Sequence, residues 1–265
     1  MLSQLFELPF ALRWMALILL IGLRYFLVAS IFFLIFYVAL KQKWRGWKIQ
    51  AKSPSGQDYK REILFSSLTI IIFSVHALCV FNPTVVPYTN MYKSIGDYGW
   101  AYFFFSLVLI LFIHDTYFYW MHRVIHHPKL YKLFHLTHHK STNPSPWAAL
   151  AFHPLEAVLE SGIISLLVFT IPVHRFTILL FLFIMMIYNV YGHLGYELYP
   201  RGFSKNWFGK WINTSVNHNM HHQFVHGNYG LYFLFWDRFM GTLQTDYDEH
   251  FEQATTPPSP KSTNT

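Results

Sequence analysis

The chain has 265 residues, of which 53% are hydrophobic, 20% aromatic and only 12% charged. Soluble domains carry about a quarter of charged residues, so this composition predicts a membrane protein. The single cysteine, Cys79, excludes a disulfide framework, a thiolate zinc site and an iron–sulfur cluster. The net charge of +7 comes largely from loops beside apolar segments, which favours lipid headgroups or an acidic protein as partners and argues against nucleic acid.

The first half of the chain contains three apolar segments that predict membrane spans. They cover residues 12–40, 63–80 and 100–121. A spanning helix needs roughly 20 residues, so the last two match one span each and the first is long enough for one span that ends near residue 40. The connection between the first two is rich in lysine and arginine (residues 41–61), which places it on the cytoplasmic side. The third span therefore returns the chain to the cytoplasmic side.

A longer apolar stretch, residues 157–192, is interrupted at 172–175 by the sequence Pro-Val-His-Arg. Each half is about 17 residues, or about 25 Å of helix, which predicts a helical hairpin that crosses the membrane and returns. The fold class is thus all-α, a polytopic helical membrane protein of about four to five spans with a cytoplasmic helical cap. We expect residues 1–250 to form one domain and residues 251–265, which are rich in Pro, Ser and Thr, to be a disordered tail.

Nine histidines are grouped near the predicted cytoplasmic ends of these spans. Positions three and four apart share one face of a helix, so each group can present its imidazoles to one side. Neutral imidazole is a common ligand for transition metals, and nine are too many for one ion but suit two. The grouped residues are His122 and His126; His135, His138 and His139; His193; and His218, His221 and His222.

Asp115, Tyr119, His122 and His126 follow a 4-3-4 spacing and form one stripe along the third span. Asp115 is therefore predicted to orient a ligating ring by a hydrogen bond, as carboxylates commonly do for metal-bound histidines.

Six further histidines fit this pattern less well. His76, His114, His127 and His174 are interpreted as structural or surface residues, whereas His153 and His226 stay open as ligands.

Three of the histidine groups resemble the histidine boxes of the fatty acid hydroxylase and sterol desaturase superfamily. These groups are His122-Arg-Val-Ile-His126, His135-Leu-Thr-His138-His139 and His218-Asn-Met-His221-His222. The flanking sequences resemble that family as well, and the similarity extends over residues 60–245, being greatest to sterol C-5 desaturases. The flanking sequences that carry the resemblance are Tyr119-Trp120, Phe152-His153-Pro154-Leu155-Glu156, Asn228-Tyr229-Gly230 and Trp236-Asp237-Arg238.

The resemblance implies a membrane-bound non-haem di-iron enzyme that uses O₂ to desaturate or hydroxylate a lipid, with a sterol as the favoured substrate. It implies that His193, after the hairpin, joins the three boxes as a ligand. Some relatives carry another histidine four residues earlier, where this chain has Asn189. Asn189 and Glu156, together with Asp115, are expected to support the metal ligands, with Asn189 holding a water.

No Gly-x-Gly-x-x-Gly nucleotide motif or haem domain is recognisable in the sequence. Electrons would therefore come from a separate protein, such as a cytochrome b-type or ferredoxin-type carrier. The expected membrane is the endoplasmic reticulum or the bacterial inner membrane.

Other functions stay open at this point. They are a fatty acid or sphingolipid hydroxylase of the same superfamily, a structural zinc pair, a histidine-rich metal transporter and a haem-binding membrane protein. Transporters place ionisable residues near the bilayer midplane, whereas these histidines gather at the ends of spans.

Overall fold

The computed structural model describes residues 8–256, and almost all of its regular structure is helical. Four helical segments in this part of the chain are long and apolar enough to cross a membrane: Phe10–Ala39, Gly56–Val80, Gly99–Ile125 and Arg175–Gly192. The first is an α-helix that ends in a π-helical turn, Leu34–Ala39. These segments confirm the predicted polytopic helical membrane fold.

The α-helices, in chain order, are α1 (Phe10–Phe33), α2 (Lys41–Trp44), α3 (Gly56–Val80), α4 (Gly99–Ile125), α5 (Pro128–Phe134), α6 (Leu136–His139), α7 (Pro154–Thr170), α8 (Arg175–Gly192), α9 (Ser215–Phe224), α10 (Phe235–Phe239) and α11 (Tyr247–Thr255). Short 3₁₀ turns occur at Arg45–Trp47, Val86–Tyr88, Ile95–Asp97, Pro146–Leu150, Phe203–Lys205 and Gly209–Trp211. Two-residue strands β1 (Met91–Tyr92) and β2 (Val173–His174) pair in parallel.

The helices begin where the sequence supplies caps. Ser55 and Asp58 form a reciprocal capping box at the start of α3, with the Ser55 amide donating to the Asp58 carboxylate at 2.9 Å. At the start of α7, Pro154 occupies the first turn and the His153 ring accepts the amide of Leu155. Such contacts satisfy amides that have no partner within the helix.

α7 and α8 form the predicted helical hairpin. α7 ends at Thr170, and α8 begins at Arg175. β2, in the turn between them, pairs with β1 in the loop that precedes α4. The hairpin turn therefore lies at the opposite end of the helices from His122, and His193 emerges from α8 at the same end as His122.

The 3₁₀ turn Pro146–Leu150 joins the membrane helices to the histidine region. The carbonyl oxygen of Trp147 accepts the Tyr25 hydroxyl of α1 at 2.7 Å and the Ser66 hydroxyl of α3 at 3.0 Å. Its alanines, Ala148 and Ala149, are fully buried. This contact fixes the loop after α6 against two spans.

The prediction of a disordered tail from residue 251 is wrong for its first residues. α11 extends to Thr255, and Phe251 is completely buried against Val216 and Met220 of α9. Although the adjoining sequence is polar, the burial of these apolar side chains stabilises the helix. The remainder of the predicted tail from residue 257 lies outside the described residues, and the single domain 1–250 stays a prediction.

Candidate metal centre

All nine grouped histidines converge at one end of the helix bundle, where they form two clusters. Within each cluster the nitrogen atoms that could bind a metal lie within 4.8 Å of one another. The first cluster consists of His122, His126, His135, His139 and His221; the second consists of His138, His193, His218 and His222. Eight of these side chains are buried, and only His126 is partly exposed.

Each His-x-x-His-His box contributes to both clusters. His135 and His139, four residues apart, share the first cluster, whereas His138 lies in the second. The box on α9 is divided in the opposite way: its pair at four-residue spacing belongs to the second cluster and His221 to the first. The expectation that each box faces one point was therefore wrong. Adjacent residues on a helix point about 100° apart, so neighbouring histidines reach different clusters.

The first cluster is built from the end of α4, the α5–α6 junction and α9. The Nε2 atoms of His122 and His135 are 2.9 Å apart. Nε2 of His139 lies 3.2 Å from that of His126 and 3.0 Å from that of His221. His126 immediately follows the last residue of α4, so this end of the helix carries two of the five rings.

His193 is the centre of the second cluster. Its Nε2 atom lies 3.2 Å from that of His138, 3.1 Å from that of His218 and 3.2 Å from that of His222. One ring proton can serve only one of these contacts, so several nitrogen lone pairs converge on a small volume. Such a convergence of acceptors fits a bound cation.

Four of the nine clustered rings are oriented by a hydrogen bond from Nδ1. His122 donates to the Tyr229 carbonyl at 2.9 Å, His193 to the Asn189 carbonyl and His221 to the Gly227 carbonyl, both at 2.7 Å. His135 donates to Glu156. These bonds place the ring proton on Nδ1, which leaves Nε2 free to bind a metal.

The donor set fits one transition-metal ion in each cluster. Burial lowers the pKa of His193 to about 4 and lowers the pKa values of His218 and His222 well below their usual range. The rings are therefore neutral and able to bind a cation at physiological pH. Five and four imidazoles match the usual coordination numbers of such ions, and imidazole suits zinc, copper, iron and nickel alike.

Of the three residues expected to support the ligands, Glu156 does so directly. Its Oε1 atom lies 2.5 Å from Nδ1 of His135. Asn189 orients His193 through its backbone carbonyl, and it borders a cavity of about 10 Å³ together with His218. Such a space is about the size of one water molecule. That Asn189 holds a water stays a prediction.

Asp115 does not orient a ligating ring, so that expectation was wrong. Its Oδ1 atom accepts the amides of Leu231, Tyr232 and Phe233 at 3.3, 2.6 and 3.1 Å. His122, although on the same helix as Asp115, donates to a carbonyl in the loop after α9 rather than to a group on α4, so its spacing from Asp115 does not produce a contact.

A second buried carboxylate supports this loop. Asp237 accepts the amides of Tyr229 and Gly230 at 2.9 and 2.8 Å and the Thr242 hydroxyl at 2.7 Å. The same loop provides the Gly227 and Tyr229 carbonyls that orient two ligands. The Asn-Tyr-Gly and Trp-Asp-Arg sequences indicated the family resemblance, but nothing in their spacing predicted that Asp237 supports this loop.

Glu197 was missed altogether by the sequence argument. It is buried, and it accepts the Tyr191 hydroxyl at 2.6 Å and the amides of Leu198 and Val216 at 2.9 and 3.0 Å. Burial raises its pKa. Glu197 thereby connects the end of α8, which carries His193, to the start of α9. The sequence offered no signal for it, because a single glutamate in a polar loop is ordinary.

The other histidines considered above lie outside both clusters. His114 bonds to the Tyr232 hydroxyl at 2.9 Å and His76 to the Ser165 hydroxyl at 2.9 Å, in agreement with structural roles. His153 caps α7, and His226 bonds to the nearby Phe224 carbonyl. These two, which the sequence left open as ligands, are therefore not members of either cluster. His127 caps α5 and His174 caps α8.

An apolar groove of about 660 Å³ lies between α4 and α7. Its walls include Phe112, Val124 and Leu166, whose side chains are 46, 55 and 41% exposed, so the groove opens sideways from the bundle. At one end are Met121 and Ile125, the residues that directly precede His122 and His126. The groove thus runs along α4 from the apolar exterior to the end of the helix that carries His122.

Comparison with known proteins agrees with this arrangement. The profile of the fatty acid hydroxylase family matches residues 107–242, which include all nine clustered histidines. The chain is 33% identical over 191 residues to a Delta(7)-sterol 5(6)-desaturase of Gibberella zeae, an alignment that covers 72% of this chain and 57% of the relative. It is 33% identical to the lathosterol oxidase of Rattus norvegicus (69% and 60% covered) and 30% identical to that of Homo sapiens (70% and 61% covered).

The matched part of the chain spans about three fifths of the length of these relatives. No solved structure matches the fold significantly. The family profile nevertheless covers more than half of the sequence and the whole of the histidine centre. The chain therefore belongs to the fatty acid hydroxylase family.

Proposed function

We propose that the chain is an O₂-dependent oxidoreductase that holds one iron ion in each histidine cluster and desaturates a sterol within the membrane. The observation that carries this proposal is the pair of buried histidine clusters, beside which an apolar groove runs along α4 as far as Met121 and Ile125. A rigid apolar substrate can enter such a groove from the bilayer without crossing water. The names of the relatives, a sterol desaturase and lathosterol oxidases, support a sterol as the substrate class.

An iron pair, when bound, supplies the activation of O₂ and the removal of hydrogen from an unactivated carbon, which side chains alone cannot perform. In the overall balance, O₂ takes two electrons and two protons from outside and two hydrogens from the substrate, and it leaves as two water molecules. The substrate gains a double bond.

The protein contributes orientation and exclusion of water. Glu156 and the carbonyls of Gly227, Tyr229 and Asn189 hold ring protons on Nδ1, so that Nε2 stays available as a ligand. The apolar groove walls hold the substrate along α4, near the end of the helix that carries His122, and keep water from it. A dry site strengthens electrostatic interactions and prevents side reactions.

The electrons are proposed to come from a separate protein that docks on the basic surface above the clusters. Gln50, within the basic segment after α2, donates to the Thr142 carbonyl and to the Asn219 side chain, both at 2.9 Å. Asn219 directly follows His218. Lys52 and Lys140 lie on this surface, and Lys140 is exposed. An acidic carrier of the cytochrome b or ferredoxin type fits such a surface. By the distribution of positive charge, this side is cytoplasmic.

The experiment is an assay of the purified iron-loaded protein in lipid nanodiscs that contain a Δ7-sterol, with a reductant and O₂. We expect mass spectrometry to detect a sterol that has lost two hydrogens, and oxygen consumption that depends on the sterol. The variant His221→Ala should be inactive, whereas His76→Ala, outside both clusters, should keep its activity. A product with one added oxygen on a fatty acyl chain would instead identify a lipid hydroxylase. Metal flux without oxygen consumption would contradict an enzymatic role.

A further inference from the structure

The chain that follows the loop of Gly227 and Tyr229 packs against the middle of the membrane helix α4. We call residues 233–240 the aromatic segment; it includes α10. The Phe233 ring stacks on Phe112 of α4 with centroids 4.7 Å apart, and the Phe235 ring lies 6.0 Å from the same ring. The Trp236 indole N–H donates to the Thr116 hydroxyl at 3.0 Å. The aromatic segment thus lies alongside α4, before the helix reaches its histidines.

The depth of these contacts follows from the length of α4. The helix has 27 residues, or about 40 Å at 1.5 Å per residue. The hydrocarbon core is about 30 Å thick and takes up about 20 helical residues. Phe112 and Thr116 are the fourteenth and eighteenth residues of α4, so every window of that length contains both. Whatever stacks on them lies at the depth of the hydrocarbon.

We infer that the aromatic segment is re-entrant: it enters the membrane leaflet on the side of the histidine clusters, lies against α4 and returns. Irregular backbone is tolerated at such depth only if its polar groups are satisfied within the protein. The amides of Leu231, Tyr232 and Phe233 all donate to Asp115 of α4. The backbone that leads into the segment is therefore satisfied by a side chain of the span itself.

A second bond anchors the segment on its other side. The Leu234 amide donates to the Trp211 carbonyl at 2.8 Å, which ties the segment to the 3₁₀ turn Gly209–Trp211. Asp115 is a carboxylate in the middle of a span, and it orients no metal ligand. Its role follows from these contacts, because it satisfies the backbone that leads into the re-entrant segment.

The outer side of this region is apolar and not covered by any of the described residues. Phe239 is 70% exposed and Met240 40%, and on the neighbouring turn Trp207 is 82% and Phe208 54% exposed. This surface continues the lipid-facing side of α4 through the ring contacts of Phe235 with Phe112 and Phe239. Exposed aromatic side chains of this kind are typical of membrane interfaces.

Basic side chains border the apolar surface. The Lys210 amine and the Arg238 guanidinium lie 5.2 and 5.9 Å from the centre of the Trp211 ring, and Lys205 is exposed nearby on the chain. Positive groups beside interfacial aromatics match the anionic headgroups of a leaflet. The occupant of this surface is therefore the lipid bilayer, with acyl chains against Phe239 and headgroups against Lys210 and Arg238.

The experiment measures the depth of a nitroxide spin label in the full chain. Single cysteines are introduced at Phe239, at Val108 and at Glu249 in a Cys79→Ser background, and each protein is reconstituted in nanodiscs of phosphatidylcholine and phosphatidylglycerol. Val108 is 52% exposed on α4 and marks the hydrocarbon, whereas Glu249 is exposed on α11 and marks water. Collision rates are compared for O₂, which concentrates in hydrocarbon, and for a water-soluble nickel complex.

We expect the label at residue 239 to resemble that at residue 108, with more collisions with O₂ than with nickel. Collision rates like those at residue 249 would overturn the inference, and so would protection from both reagents, which indicates a protein partner. Circular dichroism checks that each labelled protein keeps its helix content. If Phe239→Cys does not fold, Met240→Cys at the adjacent exposed position replaces it. The result does not depend on metal content or on activity.

Discussion

The Nδ1 atom of His135 lies 2.5 Å from Oε1 of Glu156, and both side chains are buried. This bond connects the second histidine box to the first turn of α7, which also forms one wall of the apolar groove. A negative partner orients the ring and makes its Nε2 a stronger ligand.

Glu156→Gln should therefore weaken metal binding in the first cluster by about 10- to 100-fold, because the amide keeps the shape but loses the charge. The second cluster should be unaffected. Competition with a chelator, followed by metal analysis, measures the affinity. Glu160→Gln, one turn farther along α7, is the matched control. Equal loss of metal in both variants would argue against a specific role for Glu156.

Leu159→Trp should obstruct the apolar groove, which Leu159 lines. We expect a loss of turnover of at least about tenfold, since a misplaced substrate loses the favourable geometry of reaction, with metal content unchanged. The adjacent Val158 is 56% exposed and does not line the groove, so Val158→Trp should behave as the unmodified protein. If both tryptophans reduced turnover equally, the groove would not be the path of the substrate.

Asp237→Asn should destabilise the loop that orients His122 and His221. Asn can accept fewer of the three hydrogen bonds that Asp237 receives, and an unsatisfied buried group costs about 1–3 kcal/mol. The midpoint of thermal unfolding in detergent should fall accordingly. Asp246→Asn, at an exposed position paired with His250, is the control and should leave the midpoint nearly unchanged. Equal midpoints for the two variants would show that the Asp237 contacts do not stabilise the loop.

Lys48 gives a prediction of pH dependence. Burial, assisted by the charge of Lys41, lowers its pKa from 10.5 to about 8. Between these two values the unfolded chain binds more protons at this residue than the folded protein, so the contribution of Lys48 to stability rises with pH. Below about pH 8 Lys48 is protonated in both the folded and the unfolded state, so the cost of burying its charge is present in full.

The variant Lys48→Met removes this dependence. The unfolding midpoint of the unmodified protein, minus that of Lys48→Met, should therefore increase as the pH is raised from about 8 towards 10.5. This difference between the two midpoints reports Lys48 alone, because the tyrosines titrate in both proteins. A difference that stays constant over this range would show that the lysine is not buried in the folded protein.

The spans and the nine histidines could be predicted because their signals are local. Hydropathy identifies a spanning helix, and one-turn spacing identifies a group of ligands. The hairpin followed from the break at Pro172, and with it the position of His193. Each of these inferences needed only residues close together in the sequence.

Two features could not be predicted because they depend on tertiary structure. They are the division of the histidine boxes between two clusters and the contacts of Asp115. The loop that supplies the carbonyls of Gly227 and Tyr229 contains three residues with left-handed backbone, Val225 (φ 65°), Gly227 (φ 68°) and Asn228 (φ 55°). Glycine and asparagine favour that conformation, but a β-branched residue rarely adopts it, so no sequence pattern indicates it for Val225. Only the folded loop brings these carbonyls to His122 and His221.

The most direct test of the central claim is the metal content of the anaerobically purified protein and of two double variants. We expect one iron ion for each of the two histidine clusters. His135→Ala with His139→Ala should remove the iron of the first cluster, and His218→Ala with His222→Ala that of the second. His76→Ala with His174→Ala should keep both. A single ion in the unmodified chain, retention of both ions in either cluster variant, or stoichiometric haem would contradict the account.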